Sequence, residues 1–90
     1  MKDDLGLDAL RGRLAEIWCE ALAMDQVGDD TDFFVAGGRS LLAVQVCARA
    51  ADAFGVEVRS SDLALDALFG SMVERVGESL PSTTGRARAA

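Results

Sequence analysis

The sequence predicts an all-α protein, a small four-helix bundle with a short third helix and a long first loop. Apolar residues recur at intervals of three and four along most of the chain, the spacing that gathers them on one face of a helix. Leucine and alanine dominate, tyrosine is absent and Pro81 is the single proline, a balance that favours helices over sheets. Only Val56-Glu57-Val58 alternates as a strand would, and one such triplet cannot make a sheet, so it reads as an extended linker. Ninety residues hold one core and leave no room for a second.

The elements follow from the pattern in order. Residues 1–6 are a polar lead-in expected to fray. Leu7, Leu10, Leu14, Ile17, Trp18 and Leu22 then form one stripe on a helix of about four turns, with Arg11, Arg13, Glu16 and Glu20 turned mostly to water. Trp18 reads as a core or edge anchor. Residues 24–39 are too long a connection for a simple helix turn, and loops of that length are functional or carry internal anchors. Val27 and Phe33-Phe34 are the expected anchors.

Ser40 to Phe54 is the second helix. Leu41, Val44, Ala48 and Ala51 follow one stripe and Leu42, Val46, Ala50 and Ala53 a neighbouring one. So wide an apolar arc is either deeply packed or partly offered to a partner. Gly55 is placed to end the helix in the left-handed conformation. Ser60-Ser61-Asp62 is a capping cluster opening a short helix around Leu63 to Leu65. The last helix carries Leu68, Met72, Val73, Val76 and Leu80. Gly70 and Gly77 each weaken it by roughly 1 kcal/mol relative to alanine, so its stability must come from docking. Residues 1–80 therefore read as the domain, and residues 81–90, which lack any apolar period, as a disordered tail.

Charge and cysteine usage exclude several classes. Fifteen acidic against nine basic residues leave a formal charge of −6. Nucleic acid binding needs a basic patch, and none is present; an acidic surface suits basic partners instead. Cys19 and Cys47 sit inside apolar helical patterns without CxxC spacing, and the chain has no histidine. They read as two small buried hydrophobes, not metal ligands. Asp25, Asp29, Asp30 and Asp32 invite a calcium reading. The EF-hand pattern fails at Val27, at Asp30 where glycine is required, and at Ala36 where glutamate is required. The charge is read as a solvated loop in which Asp32 caps a short turn. No signal peptide or membrane-length apolar run is visible, so the expected location is cytoplasmic. The initiating Met and the tail suggest a free-standing protein, and nothing demands more than a monomer.

The rest of the chain is organised around Asp32 to Leu42, where an acidic loop, two aromatics and paired glycines lead to Ser40 at the head of an apolar helix. A serine there has an exposed hydroxyl on a rigid support. The free N–H groups and dipole of a helix start favour an anion beside it. Gly37 and Gly38 remove Cβ atoms where the chain turns and a modifying enzyme must approach. Leu41 and Leu42 are unusual at a helix start, where Asp or Glu is favoured, and one of them is expected to stay exposed as a docking contact. Taken alone, Gly-Gly-Arg-Ser fits an ordinary loop with Ser40 as N-cap. The aromatic pair, the long acidic loop and the four helical elements weigh against that reading. A hydrolase is excluded more simply: the Gly-x-Ser-x-Gly elbow lacks its second glycine, and no histidine can act as base.

Phe33-Phe34, Gly37-Gly38 and Ser40-Leu41-Leu42-Ala43 resemble the core motif of the peptidyl carrier proteins, the thiolation domains of nonribosomal peptide synthesis. The resemblance runs from about Leu7 to Leu80 and is most specific from Asp32 to Ala43. It implies an acyl-carrier-protein-like bundle and no catalytic residue. It also implies a 4'-phosphopantetheine arm on Ser40, attached from coenzyme A by a phosphopantetheinyl transferase, with Gly37 and Gly38 beside the arm. The arm would hold an aminoacyl or peptidyl group as a thioester. An adenylation enzyme would load it and condensation or tailoring enzymes would receive it, docking at Phe34, Arg39, Leu41 and Leu42, on a surface formed by the helix beginning at Leu41, the end of the acidic loop and the short third helix. The paired glycines favour this family over fatty-acid and polyketide carriers, which resemble Asp-Ser-Leu at the same place. Two departures stand out: Arg39 where the family more often has His, Asp or Asn, and no Pro-Thr pair opening the last helix. An acyl or aryl carrier of a polyketide- or siderophore-type pathway is the neighbouring alternative. A helical interaction module without a covalent cofactor is the alternative of a different class.

Overall fold

The computed structural model describes residues 2–80, with side chains from Asp8 onward in the first helix. Four helices follow one another: α1 (Lys2–Leu22), α2 (Ser40–Phe54), α3 (Ser60–Leu65) and α4 (Phe69–Ser79). No strand occurs among the described residues; an isolated antiparallel bridge joins Asp32 to Leu68. The expected bundle with its short third helix and long first loop is the fold observed. The tail expected at residues 81–90 lies outside the described residues.

The core forms where the stripes meet. Leu10, Leu14, Ile17 and Trp18 of α1 are buried with Ala43, Val46, Cys47 and Ala50 of α2, Leu63 of α3, and Phe69, Met72, Val73 and Val76 of α4. Trp18 is fully buried, and its indole N–H points at the Met72 sulfur 3.2 Å away. It stands edge-on to both Phe33 and Phe69, with ring centroids at 5.1 and 5.2 Å. Edge-to-face pairs of this kind add about 0.5–1.5 kcal/mol each beyond area burial. Trp18 is thus the hub that ties the loop to α1 and α4.

Several local expectations need correction. The first helix starts at Lys2, not Leu7. No proline interrupts residues 2–6, and a helix already nucleated behind them extends at little cost. The Ser60-Ser61-Asp62 cluster does not cap α3: the N-cap is Arg59, and no side chain hydrogen-bonds the helix start. Cys19 is only half-buried, while Cys47 is buried as expected. Burial pushes the Cys47 thiol above the ordinary thiol range, with Arg75 pulling it down and Asp62 pushing it up more weakly. Leu68 and Leu80 flank α4 instead of lying in it. Gly55 does end α2 in the left-handed region, at φ 68° and ψ 31°, its N–H donating to the Ala51 carbonyl.

The long loop is held by backbone, which the side-chain pattern could not reveal. The Phe69 and Gly70 N–H groups at the start of α4 donate to the Thr31 and Asp29 carbonyls, at 2.9 and 3.0 Å. The loop thereby supplies the capping acceptors that no side chain of α4 provides. Arg11 adds an exposed ion pair to Asp29, and Arg49 joins α2 to Glu20 of α1. Val27 packs against the core as an anchor.

Candidate functional site

The backbone leading to Ser40 has its donors satisfied one residue after another. The Phe33 N–H reaches the Ala67 carbonyl at 2.9 Å. Asp32 Oδ1 accepts from the N–H groups of Phe34 and Val35, at 2.9 and 3.0 Å. The Asp32 carbonyl accepts from Ala36 at 2.9 Å, the Phe34 carbonyl from Gly37 at 3.2 Å, and the Phe33 carbonyl from Gly38 at 2.8 Å. Asp32 thus caps a short turn, as the sequence suggests. The turn closes through Gly37 at φ 109°, a conformation that L side chains rarely adopt.

At Arg39 the pattern changes. Arg39 is extended, with φ −129° and ψ 171°, and stands as N-cap of α2 without a side-chain hydrogen bond to the helix. Its carbonyl accepts from the Ala43 N–H at 2.8 Å. The N–H groups of Ser40, Leu41 and Leu42 have no acceptor among the described residues. A serine used as a cap turns its hydroxyl onto the second or third N–H of the helix. Ser40 is instead the first residue inside the helix, exposed, and its hydroxyl makes no hydrogen bond among the described residues. The hydroxyl is not used as a cap of α2.

The side chains around it divide sharply. Phe33 is fully buried, so it is the anchor; Phe34 is 38 % exposed and only leans edge-on against Phe33, which corrects the expectation that both plug the core. Leu41 is 69 % exposed and Val44, one turn on, 51 %. Leu42 is half-buried against the core. Of the positions expected to meet partners, Phe34, Arg39 and Leu41 face solvent and Leu42 is largely committed to packing. Val35, Val44, Leu65 and Leu68 are further exposed apolar residues, not singled out individually as contacts from the sequence. Val44 was visible there, three residues after Leu41 on the same stripe. Leu65 belongs to the short third helix expected to share the docking surface, whereas Leu68 was expected on the inner stripe of the last helix and instead stands at its N-cap, 37 % exposed.

The arrangement fits a phosphodiester. A hydroxyl, three backbone donors and an arginine that have no partner among the described residues, with no acid in the first turn of α2, all favour an anion at this point. The group that would bring one, 4'-phosphopantetheine, supplies a long arm ending in a thiol that can hold an acyl group as a thioester.

Comparison with known proteins agrees. The family model for a phosphopantetheine attachment site matches residues 12–76. A linear gramicidin synthase of Brevibacillus parabrevis is 44 % identical over 66 residues, 72 % of this chain but 1 % of the synthase. Even the 99 % of this chain that aligns with a hybrid PKS-NRPS synthetase of Botryobasidium botryosum, at 38 % identity, covers 6 % of that protein. Among solved structures, BlmI, a type-II acyl-carrier-protein from Streptomyces verticillus involved in bleomycin biosynthesis, superposes with a TM-score of 0.77 at 27 % identity, covering 86 % of this chain and 93 % of BlmI. Fold, motif and relatives converge: the chain belongs to the phosphopantetheine-attachment family of carrier domains, whose members bear that group covalently.

Proposed function

We propose that this chain is a peptidyl carrier protein in which Ser40 bears the 4'-phosphopantetheine arm and the arm tethers an aminoacyl or peptidyl group as a thioester. One observation carries the assignment: the Ser40 hydroxyl is exposed at the head of α2, where neither it nor the surrounding backbone donors have a partner among the described residues. Attachment joins Ser40 Oγ to the phosphorus that carries pantetheine in coenzyme A. The bond from that phosphorus to 3',5'-ADP breaks, and the hydroxyl proton leaves to a base of the transferase. The chain itself supplies position, not catalysis.

The partners follow from that role. A phosphopantetheinyl transferase would modify Ser40, an adenylation enzyme would load the arm, and condensation or tailoring enzymes would receive the cargo in the cytoplasm. The exposed apolar residues Phe34, Leu41 and Val44, with Arg39 beside them, are the surface proposed for these enzymes. Its small extent suits contacts that must form and break in turn. Gly37 and Gly38 bring the backbone to Ser40, the first through its positive φ and the second by passing close against Phe33.

Intact mass after incubation with coenzyme A and a promiscuous phosphopantetheinyl transferase tests the reading. The expected result is a gain of one phosphopantetheinyl group by the wild type and none by Ser40→Ala. A folded wild-type protein that gains nothing would return the reading to a non-covalent helical interaction module.

A further inference from the structure

The arginines among the described residues are not alike. Arg11, Arg13, Arg49 and Arg59 each hold a carboxylate, those of Asp29, Glu16, Glu20 and Glu57. Arg75 donates to the Asp66 carbonyl at 3.2 Å. Arg39 is exposed and has neither kind of partner among the described residues. It directly precedes Ser40, where the N–H groups of Ser40, Leu41 and Leu42 are also unoccupied and the first turn of α2 contains no acid. The nearest preceding carboxylate in sequence, Asp32, has Oδ1 engaged by Phe34 and Val35.

We propose that Arg39 is a positioning residue for the root of the arm, its guanidinium taking the phosphodiester borne by Ser40. The proposal rests on Ser40 being the attachment residue. A phosphodiester keeps one negative charge shared by two free oxygens, and a guanidinium offers a planar fork of donors that matches such a pair. A lysine at the same position would supply charge without the fork. The site is exposed, so the contact is modest and weakens with salt. It biases the first bonds of the arm toward the start of α2 and leaves the thiol end free to reach another enzyme.

The test uses wild type, Arg39→Gln and Arg39→Lys, each loaded from coenzyme A. Intact mass first reports loading; a wild type that does not load refutes the Ser40 assignment, and this proposal with it. In loaded protein, the Nε–H resonance of Arg39 and the phosphorus resonance of the arm are recorded at low and at high salt. The expected result is a shift of the Arg39 Nε–H signal on loading that high salt reverses. The phosphorus signal of Arg39→Gln should differ from wild type at low salt and converge with it at high salt, with Arg39→Lys between them. Fully loaded protein whose Arg39 signal matches the unloaded form, or whose phosphorus signal is the same in all three proteins, overturns the proposal. Slower loading of Arg39→Gln with unchanged spectra of the loaded forms also overturns it, and assigns Arg39 to a carboxylate on the transferase instead.

Discussion

Gly38 lies against the Phe33 ring so closely that a Cβ on it would stand 2.2 Å from Phe33 Cε2 and 2.7 Å from the Phe33 carbonyl oxygen. The ring cannot swing aside, because Phe33 is fully buried edge-on to Trp18. Gly37 has open space around it and is required for its dihedral alone, φ 109°. The paired glycines therefore meet different demands. Gly38→Ala is expected to cost about 1–3 kcal/mol by overpacking and to change Trp18 emission in the folded state. Gly37→Ala should cost about 1–2 kcal/mol through backbone strain and leave the emission unchanged. Urea unfolding followed by fluorescence measures both.

Much of this site was legible in the sequence because its signals are local. The Ser40–Phe54 helix and its Gly55 terminator could be read from spacing and from one glycine, and the capping role of Asp32 from its place before the aromatic pair. Which aromatic goes inside was not legible: Phe33 and Phe34 have the same chemistry, and the turn that Asp32 caps decides between them. The clamp on α4 was hidden for a related reason. It is made of the Asp29 and Thr31 carbonyls, groups that every residue possesses, so no side-chain pattern announces it. The Ser60-Ser61-Asp62 cluster misled in the opposite sense, since capping residues occur there without making a cap.

The clamp itself is testable through two helical glycines. A Cβ on Gly70 would meet Asp29 Cβ at 3.0 Å and Asp29 Cα at 3.3 Å, while one on Gly12 of α1 would meet nothing within 4 Å. Glycine to alanine in a helix interior normally gains about 1 kcal/mol. Gly12→Ala should show that gain. Gly70→Ala should lose it or become destabilising, because Asp29 is held by its own backbone bond to Gly70 and cannot retreat. A thermal or urea comparison of the two variants is sufficient. Equal stabilisation by both would mean that the loop is loosely held.

The two cysteines should differ in reactivity. Cys47 is buried and its thiol is pushed up chiefly by desolvation, whereas Cys19 is half-buried. The thiolate is the reactive form, so folded protein should react first at Cys19 with a disulfide reagent, and at Cys47 only through unfolding. The raised Cys47 pKa also sets a sign for stability. Its contribution is fully present below the ordinary thiol pKa and is lost as pH rises through the higher folded value. Cys47→Ala should therefore flatten the alkaline limb of a stability profile, although it lowers stability at neutral pH by leaving a small cavity.

The free state of the Ser40 hydroxyl makes the sharpest demand. A serine that capped α2 would cost about 0.5–2 kcal/mol on conversion to alanine. Ser40 makes no cap bond, so Ser40→Ala should change the unfolding free energy by no more than about 0.5 kcal/mol, the range of ordinary surface changes. Asp32→Ala is the contrast. It removes the acceptor of two backbone N–H groups and should cost about 1 kcal/mol or more while leaving the hydroxyl in place. Intact mass and urea unfolding on the same samples separate the two functions: Ser40→Ala should be stable and unmodified, Asp32→Ala less stable yet still modified. A Ser40→Ala protein as destabilised as Asp32→Ala would return Ser40 to the role of a structural cap.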